Sequence, residues 1–261
     1  MPTPEEIALA RIRDAAETGA TELDLSMLGL TALPPEIGGL VSLQTLDLSC
    51  NHLTALPPEI GGLASLQTLD LRENQLTALP PEIGQLASLQ KLVLGSYNLF
   101  NIPLDDRHLT VLPPEISRLT VVHIIGWREN QLTALPPEIG QLASLQELYL
   151  GGNQLTTLPP EIGRLASLQT LDLSFNRLTA LPPELWRLPN LVNLDISGNP
   201  LPELPPELWQ RKDWKSLGLG NLNLTALPPE IGGLASLQTL NLWGNQLTAL
   251  PPEIGGLASL Q

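Results

Sequence analysis

The chain repeats one unit of 23 residues, and this period constrains the fold more than any other feature of the sequence. The tetrapeptide LPPE marks the unit, and its copies begin at Leu33, Leu56, Leu79, Leu112, Leu135, Leu158, Leu181, Leu204, Leu227 and Leu250. The spacing is 23 residues throughout, except for 33 between Leu79 and Leu112. A unit this short cannot bury an apolar face alone, so the period predicts a stack of coils that complete one another's core.

One half of each coil alternates apolar and polar residues, which is the pattern of a short strand with one buried face. In the copy TLDLSFN at 170–176, Leu171 and Leu173 are predicted to point inward. Thr170, Asp172 and Ser174 are predicted to point outward. The strands of successive coils run in the same direction, so we expect one parallel sheet of about ten strands with one exposed face.

The other half of each coil, LPPEIGxL, avoids strand pairing. Proline lacks an amide hydrogen and keeps the residue before it extended, so Leu-Pro-Pro cannot join a sheet ladder. The second proline favours the first position of a short helical turn, the glutamate suits its positive end and the glycine suits its exit. The sequence therefore predicts an α/β solenoid, with strands on one side and short helical turns and loops on the other.

Asparagine follows most of the strands, at Asn51, Asn74, Asn130, Asn153, Asn176, Asn199 and Asn245. A buried turn leaves backbone groups that need partners, and an amide side chain donates and accepts at once. We interpret this column as structural. Tyr97 and Leu222 interrupt it, so we expect their two coils to open more readily than the others.

The composition argues against several functional classes. The chain has 27 acidic residues against 13 Lys and Arg, a formal net charge of −14, whereas nucleic acids and anionic membranes attract clustered basic residues. No apolar run reaches the length of a membrane span, and the single Cys50 cannot form an internal disulfide. We expect a cytoplasmic protein without a nucleic-acid or membrane partner.

The pattern LxxLxLxxNxLxxLPPEIGxL resembles the leucine-rich repeat, specifically the 23-residue cytosolic type of Roco GTPases and Ras-group-related repeat proteins. The resemblance covers residues 21–261. It implies a curved parallel sheet of about ten short strands on the concave face, which this family most often uses to bind other proteins.

The two ends of the chain differ. Residues 1–20 are predicted to form a capping helix, because Thr3-Pro4-Glu5-Glu6 reads as a capping box and Ile7, Leu9, Ile12 and Ala16 supply an apolar stripe before Gly19. Residues 21–261 form the predicted solenoid, which reaches Gln261 within a consensus coil and without an evident C-terminal cap. We expect a fragment of a longer protein, or an end that another surface covers.

The 33-residue interval predicts an insertion near 95–106, just past a strand; a second alignment places it on the return side instead. At the same place the outward residues change, since Val93, Gly126 and Tyr149 replace the aspartates of other coils and Lys91, Ile124 and Glu147 replace threonines. Apolar residues flanked by charges are typical of a protein interface. The predicted partner-binding residues are Arg72, Val93, Ile124, Arg128, Glu129, Tyr149 and Asp172. A decayed repeat whose loop covers the patch explains the pattern equally well.

No catalytic motif is present, so we expect neither an enzyme nor a cofactor. Stacked aspartates at Asp24, Asp47 and Asp70 suggest water and counterions more than a metal. The favoured function is a protein-interaction module that binds its partner on the concave face near the irregular repeat. A regulatory arm of a larger signalling protein, such as a Roco GTPase, and a structural scaffold that associates end to end stay open.

Overall fold

The computed structural model describes residues 1–95 and 109–261. Helix α1 (Pro4–Thr18) comes first. The strands follow as β1 (Glu22–Asp24), β2 (Thr45–Asp47), β3 (Thr68–Asp70), β4 (Lys91–Gly95), β5 (Ile124–Arg128), β6 (Glu147–Tyr149), β7 (Thr170–Asp172), β8 (Asn193–Asp195), β9 (Ser216–Gly218) and β10 (Thr239–Asn241). Most of the predicted insertion at 95–106 falls on residues 96–108 and therefore lies outside the described residues.

The strands form one parallel sheet in chain order, which confirms the predicted fold class. Equivalent residues of successive coils pair directly, as Leu148 does with Leu171 and Leu171 with Leu194. The middle leucine of the strand is therefore buried in almost every coil, and these side chains build one continuous core. This arrangement follows from the 23-residue period, because identical coils stack without a register shift.

The return half of most coils is a five-residue 3-10 helix that begins at the second proline, as predicted. The described helices are Pro35–Gly39, Pro58–Gly62, Pro81–Gln85, Pro114–Arg118, Pro137–Gln141, Pro160–Arg164, Pro183–Arg187, Pro229–Gly233 and Pro252–Gly256. The first glycine of the motif allows neighbouring coils to approach closely. At Gly163 an added Cβ would lie 2.6 Å from Cβ of Glu184.

Tryptophan replaces this glycine in two adjacent coils, at Trp186 and Trp209, and the second of them forms helix α2 (Glu207–Gln210) instead of a 3-10 helix. Arg211 stands at a core leucine position, yet its guanidinium donates to the backbone oxygens of Leu188 and Leu191. It also lies 4.7 Å above the ring of Trp214, which is fully buried. At this place Trp214 fills the core, and Arg211 satisfies backbone oxygens of the preceding coil.

Helix α1 has the expected capping box, in which Thr3 Oγ1 accepts from the backbone of Glu6 and Glu6 accepts from the backbone of Thr3. Its buried residues are Ala8, Ile12 and Ala15. Ala16, which the sequence predicts to face the coils, is exposed, because the helix turns the side with Ala8, Ile12 and Ala15 toward the solenoid. The division into a capping helix at 1–20 and a solenoid at 21–261 stays a prediction.

The asparagine column is a chain of buried hydrogen bonds. Asn176 is typical: its Oδ1 accepts from the backbone N–H of Leu155 at 3.0 Å. Its Nδ2 donates to the backbone oxygens of Leu150 at 2.9 Å and Leu173 at 3.0 Å. Each amide therefore ties its own coil to the preceding one, which is the structural role that the sequence predicted.

Candidate functional site

Three columns of side chains cover the exposed face of the sheet, one at each outward position of the strand. In the middle column, an aspartate Oδ1 accepts from the backbone N–H two residues later, at Asp24, Asp47, Asp70, Asp172 and Asp195. These carboxylates therefore close the turn that follows the strand. Among residues 1–95 and 109–261, no group of His, Cys, Asp and Glu side chains is placed to hold a metal ion.

Strands β4, β5 and β6 lack this aspartate and carry Val93, Gly126 and Tyr149 instead. In β4 and β5 the backbone pairing continues for two more residues, through Leu94 with Trp127 and Gly95 with Arg128. In the other coils the strand ends at the middle position, where in most of them an aspartate closes the turn; β4 and β5 instead continue for two residues beyond it. The change in side chains thus accompanies a change in backbone structure.

A groove of about 380 Å³ lies on the sheet face across strands β3 to β6, and we call it the β3–β6 groove. Its lining residues are Arg72, Lys91, Val93, Leu94, Gly95, Ile124, Gly126, Arg128, Glu147 and Tyr149. Two glycines help to form the depression. Gly95 has φ of 102°, and an added Cβ would lie 1.7 Å from the backbone oxygen of Arg128. At Gly126 an added Cβ would meet only a side-chain atom of Val93, at 3.2 Å.

Five of the seven predicted partner-binding residues line this groove: Arg72, Val93, Ile124, Arg128 and Tyr149. Asp172 and Glu129 do not line it. Asp172 is buried beside it and forms an ion pair with Arg128, with Nη2 and Oδ2 2.6 Å apart. Glu129 lies in the turn after β5, where burial raises the pKa of its carboxyl. Whether any of the seven contacts a partner stays a prediction.

The predicted site residues did not include Lys91, Glu147, Leu94 and the two glycines. Lys91 and Glu147 occupy the first outward column, where threonine is the commonest residue, so their departure from the repeat was a usable signal. Gly126 was visible as a departure from the repeat, but the part that it and Gly95 have in the depression became evident only in three dimensions.

The guanidinium of Arg128 organises one end of the groove. Its Cζ lies 4.7 Å above the ring of Tyr149, within cation–π range, and its Nη2 pairs with Asp172. The Nε atom of Arg128 is buried and has no hydrogen-bond partner among residues 1–95 and 109–261. The hydroxyl of Tyr149 donates to Glu147 Oε2 at 2.7 Å. Burial, followed by this hydrogen bond, raises the pKa of Tyr149 to about 12.

The other two basic residues of the groove differ in their surroundings. Arg72 forms an ion pair with Asp70, and its Nε lies 2.9 Å from the two carboxylate oxygens. Lys91 is exposed, and within the described part of the chain it forms no ion pair. The groove therefore combines an apolar floor of Val93 and Ile124 with charges at both ends.

Comparison with family models identifies the repeat along much of the chain. Models described as "Leucine rich repeat" match residues 117–178, 143–201 and 236–257, and one described as "Leucine-rich repeat region" matches residues 22–92. No curated protein matches the sequence. The models identify the repeat itself and do not distinguish a Roco or Ras-group type.

Several solved structures are similar to this chain. A leucine-rich repeat protein of Leptospira interrogans is 33% identical, with a TM-score of 0.61, and the match covers 95% of this chain and 85% of that protein. The complex PEPR1–AtPEP1 is 31% identical with a TM-score of 0.69, and the match covers 92% of this chain and 36% of that one. The Arabidopsis receptor kinase HAESA, solved with the peptide hormone IDA and the co-receptor SERK1, is 26% identical with a TM-score of 0.72, covering 89% and 39%.

Within the described residues, no helix combines the length and the apolar character that a membrane crossing requires.

Proposed function

Since this chain belongs to the leucine-rich repeat family, we propose that it is a protein-interaction module whose partner binds on the exposed sheet face at the β3–β6 groove. The observation that carries the proposal is the groove itself. It is where the Thr/Asp pattern of the sheet face gives way to a depression with an apolar floor. An apolar centre within a polar, charged rim is the usual composition of a protein interface.

The residues have separate parts in this proposal. Val93, Ile124 and the ring of Tyr149 supply apolar contact area, and Arg72 and Arg128 supply donors at the rim. Asp172 holds the guanidinium of Arg128 in place through the ion pair between them. Glu129 lies farther from the centre, and we assign it to the edge of the contact surface.

The similar structures support binding as the activity. HAESA is described in complex with a peptide hormone, and PEPR1 is described together with AtPEP1. This chain spans 39% and 36% of those two proteins, so their ligands belong to them. A cytoplasmic location is part of the proposal, and the exposed free thiol of Cys50 is consistent with it.

Affinity capture from a lysate of the source cell tests the proposal. The variant Ile124→Thr/Tyr149→Asp restores consensus residues of the first two columns and removes two of the three apolar contact residues of the groove while keeping the repeat pattern. Ser216→Thr/Asn241→Asp is the matched control, because it makes the same kind of change toward consensus on β9 and β10.

We expect the wild type and the control to retain a common partner that the groove variant loses, with equal circular dichroism for all three proteins. If the groove variant retains the same partners as the wild type, the binding site is elsewhere and the proposal is wrong.

A further inference from the structure

The distribution of charge on the sheet face constrains the chemistry of the partner. The three outward columns of β1 to β10 are the first residue of the strand, the middle position and the residue two after it. They contain seven acidic residues: Glu22, Asp24, Asp47, Asp70, Glu147, Asp172 and Asp195. At these same described positions the basic residues are Arg72, Lys91 and Arg128, and all three line the β3–β6 groove. In a chain with a net charge of −14, the basic side chains of this face are gathered in one place.

The carboxylates beside the two arginines are already engaged by backbone donors. Asp70 Oδ1 accepts from the backbone N–H of Arg72 at 3.0 Å. Asp172 Oδ1 accepts from both the backbone N–H and the hydroxyl of Ser174, at 2.9 and 2.6 Å. These bonds also hold the aspartates where they orient the guanidinium groups toward the groove. The aspartates therefore position the arginines as well as balancing their charge.

Two of the three basic side chains, Lys91 and Arg128, can form a further ion pair with a ligand. The ammonium of Lys91 is exposed and has no ion pair within the described residues. Arg128 pairs with Asp172 through Nη2, and its side chain is 41% exposed, so its guanidinium is accessible to a ligand. The negative charge of Glu147 is partly satisfied by the hydroxyl of Tyr149. A ligand with negative groups gains ion pairs at both positions.

The positions of these groups set a spacing. Lys91 begins β4, and Arg128 ends the neighbouring β5, so the two are four residues apart along the strand direction. At about 3.3 Å per residue this is about 13 Å, which an extended peptide spans in about four residues. Along the strand direction Val93 lies midway between the two basic positions, and Ile124 lies beside Lys91 on β5. Both are half-buried, so an apolar side chain of the ligand has a place at Val93.

We propose that the β3–β6 groove binds an extended acidic peptide segment, with carboxylates about four residues apart at Lys91 and Arg128 and an apolar side chain between them on Val93, next to Ile124. This inference rests on the proposed function and adds the chemistry of the bound segment. The occupant is a segment of another protein, because the basic ends and the apolar floor together match an alternating acidic and apolar sequence.

The test is selection from a displayed library of random 12-residue peptides on the immobilised 261-residue chain. Gly126→Leu fills the groove without adding charge, and its φ is not left-handed, so the backbone tolerates the new side chain. Peptides that bind the wild type but not this variant are groove-dependent. We expect them to be enriched in Asp and Glu on both sides of an apolar residue.

Charge reversal then tests the ion pair at Lys91. For a selected peptide we expect Lys91→Glu to weaken binding about fivefold, which corresponds to about 1 kcal/mol for one exposed ion pair, and added salt to weaken wild-type binding. Lys215→Glu is the matched control. Lys215 is exposed, immediately precedes β9 and lies outside the groove, so we expect no change in peptide affinity.

The outcomes separate the two proposals. Groove-dependent peptides that are neutral or basic, or that bind Lys91→Glu as well as the wild type, overturn the acidic segment and leave the groove as the binding site. A selection that yields no groove-dependent peptide overturns both.

Discussion

Replacing Asn176 by alanine tests the claim that the asparagine column holds the coils together. Asn176 is 6% exposed, and its amide accepts from the N–H of Leu155 and donates to the oxygens of Leu150, Leu173 and Ser174. Leu155 and Leu150 belong to the preceding coil. Alanine leaves the N–H of Leu155 without a partner in a place that water does not reach, whereas the oxygens of Leu150 and Leu173 keep the amides of Asn153 and Asn199.

The expected cost follows from these contacts. A typical hydrogen bond contributes about 1 kcal/mol net, and a buried group left unsatisfied costs about 1–3 kcal/mol. One orphaned N–H together with the other lost bonds predicts that Asn176→Ala lowers the free energy of unfolding by about 2–4 kcal/mol. Asn245 makes equivalent bonds to Leu219 and Leu224 but is only partly buried. Water can replace its amide, so Asn245→Ala should cost about 1–2 kcal/mol.

Urea unfolding followed by circular dichroism measures both variants, and native-state hydrogen exchange shows which coils lose protection. Coils of a solenoid unfold semi-independently, so we expect the loss of protection at Asn176 to be centred on the two coils that its amide joins. The reasoning is refuted if Asn176→Ala costs less than about 1 kcal/mol, or no more than Asn245→Ala.

Three further predictions follow from single positions. Cys50 has φ of 56° at a position where three other coils have glycine, at Gly152, Gly198 and Gly244, so Cys50→Gly should stabilise the chain by about 0.5–1 kcal/mol in thermal unfolding, while Cys50→Ala gives no gain. Because the pKa of Tyr149 is raised to about 12, the stabilisation from its neutral phenol is present below its ordinary pKa of about 10 and decreases as the pH rises above that value. An absorbance titration referenced to Tyr149→Phe should therefore show late ionisation, and Glu147→Gln should make it earlier; ionisation near pH 10 in both proteins would contradict this. In the coil of β9, Leu222 stands in the asparagine column and has no amide to accept from the backbone N–H of Leu201. Leu222→Asn should therefore slow hydrogen exchange in that coil, and equal protection along the wild-type chain would argue against a weaker coil there.

The sheet face separates residues that maintain the solenoid from residues that are available for binding. The aspartates of the middle column close turns, as Asp195 does for Ser197, and the inner leucines fill the core. In β4 and β5 the strand is longer, so the middle position no longer has that structural task. The residues at that position, Val93 and Gly126, can then change without loss of the fold. This is why a binding site can develop in the irregular coils.

The sequence by itself determined the architecture, because every coil contains the same local instructions. Alternating leucines, the Leu-Pro-Pro break and the asparagine amide act within one coil or between adjacent coils, so a 23-residue period is enough to predict strands, short helices and their stacking. It also predicted five of the residues that line the groove, since departures from a strict repeat are visible in the text of the sequence.

Only the tertiary structure decided how those departures combine. The depression depends on Gly95 and Gly126, which matter through the side chains they lack next to Arg128 and Val93 on neighbouring strands. The pairing of Arg128 with Asp172 joins residues two strands apart, and no pattern within one coil specifies it. The physical reason is that the repeat dictates contacts between equivalent positions, whereas a groove and its charges arise from contacts between positions that are not equivalent.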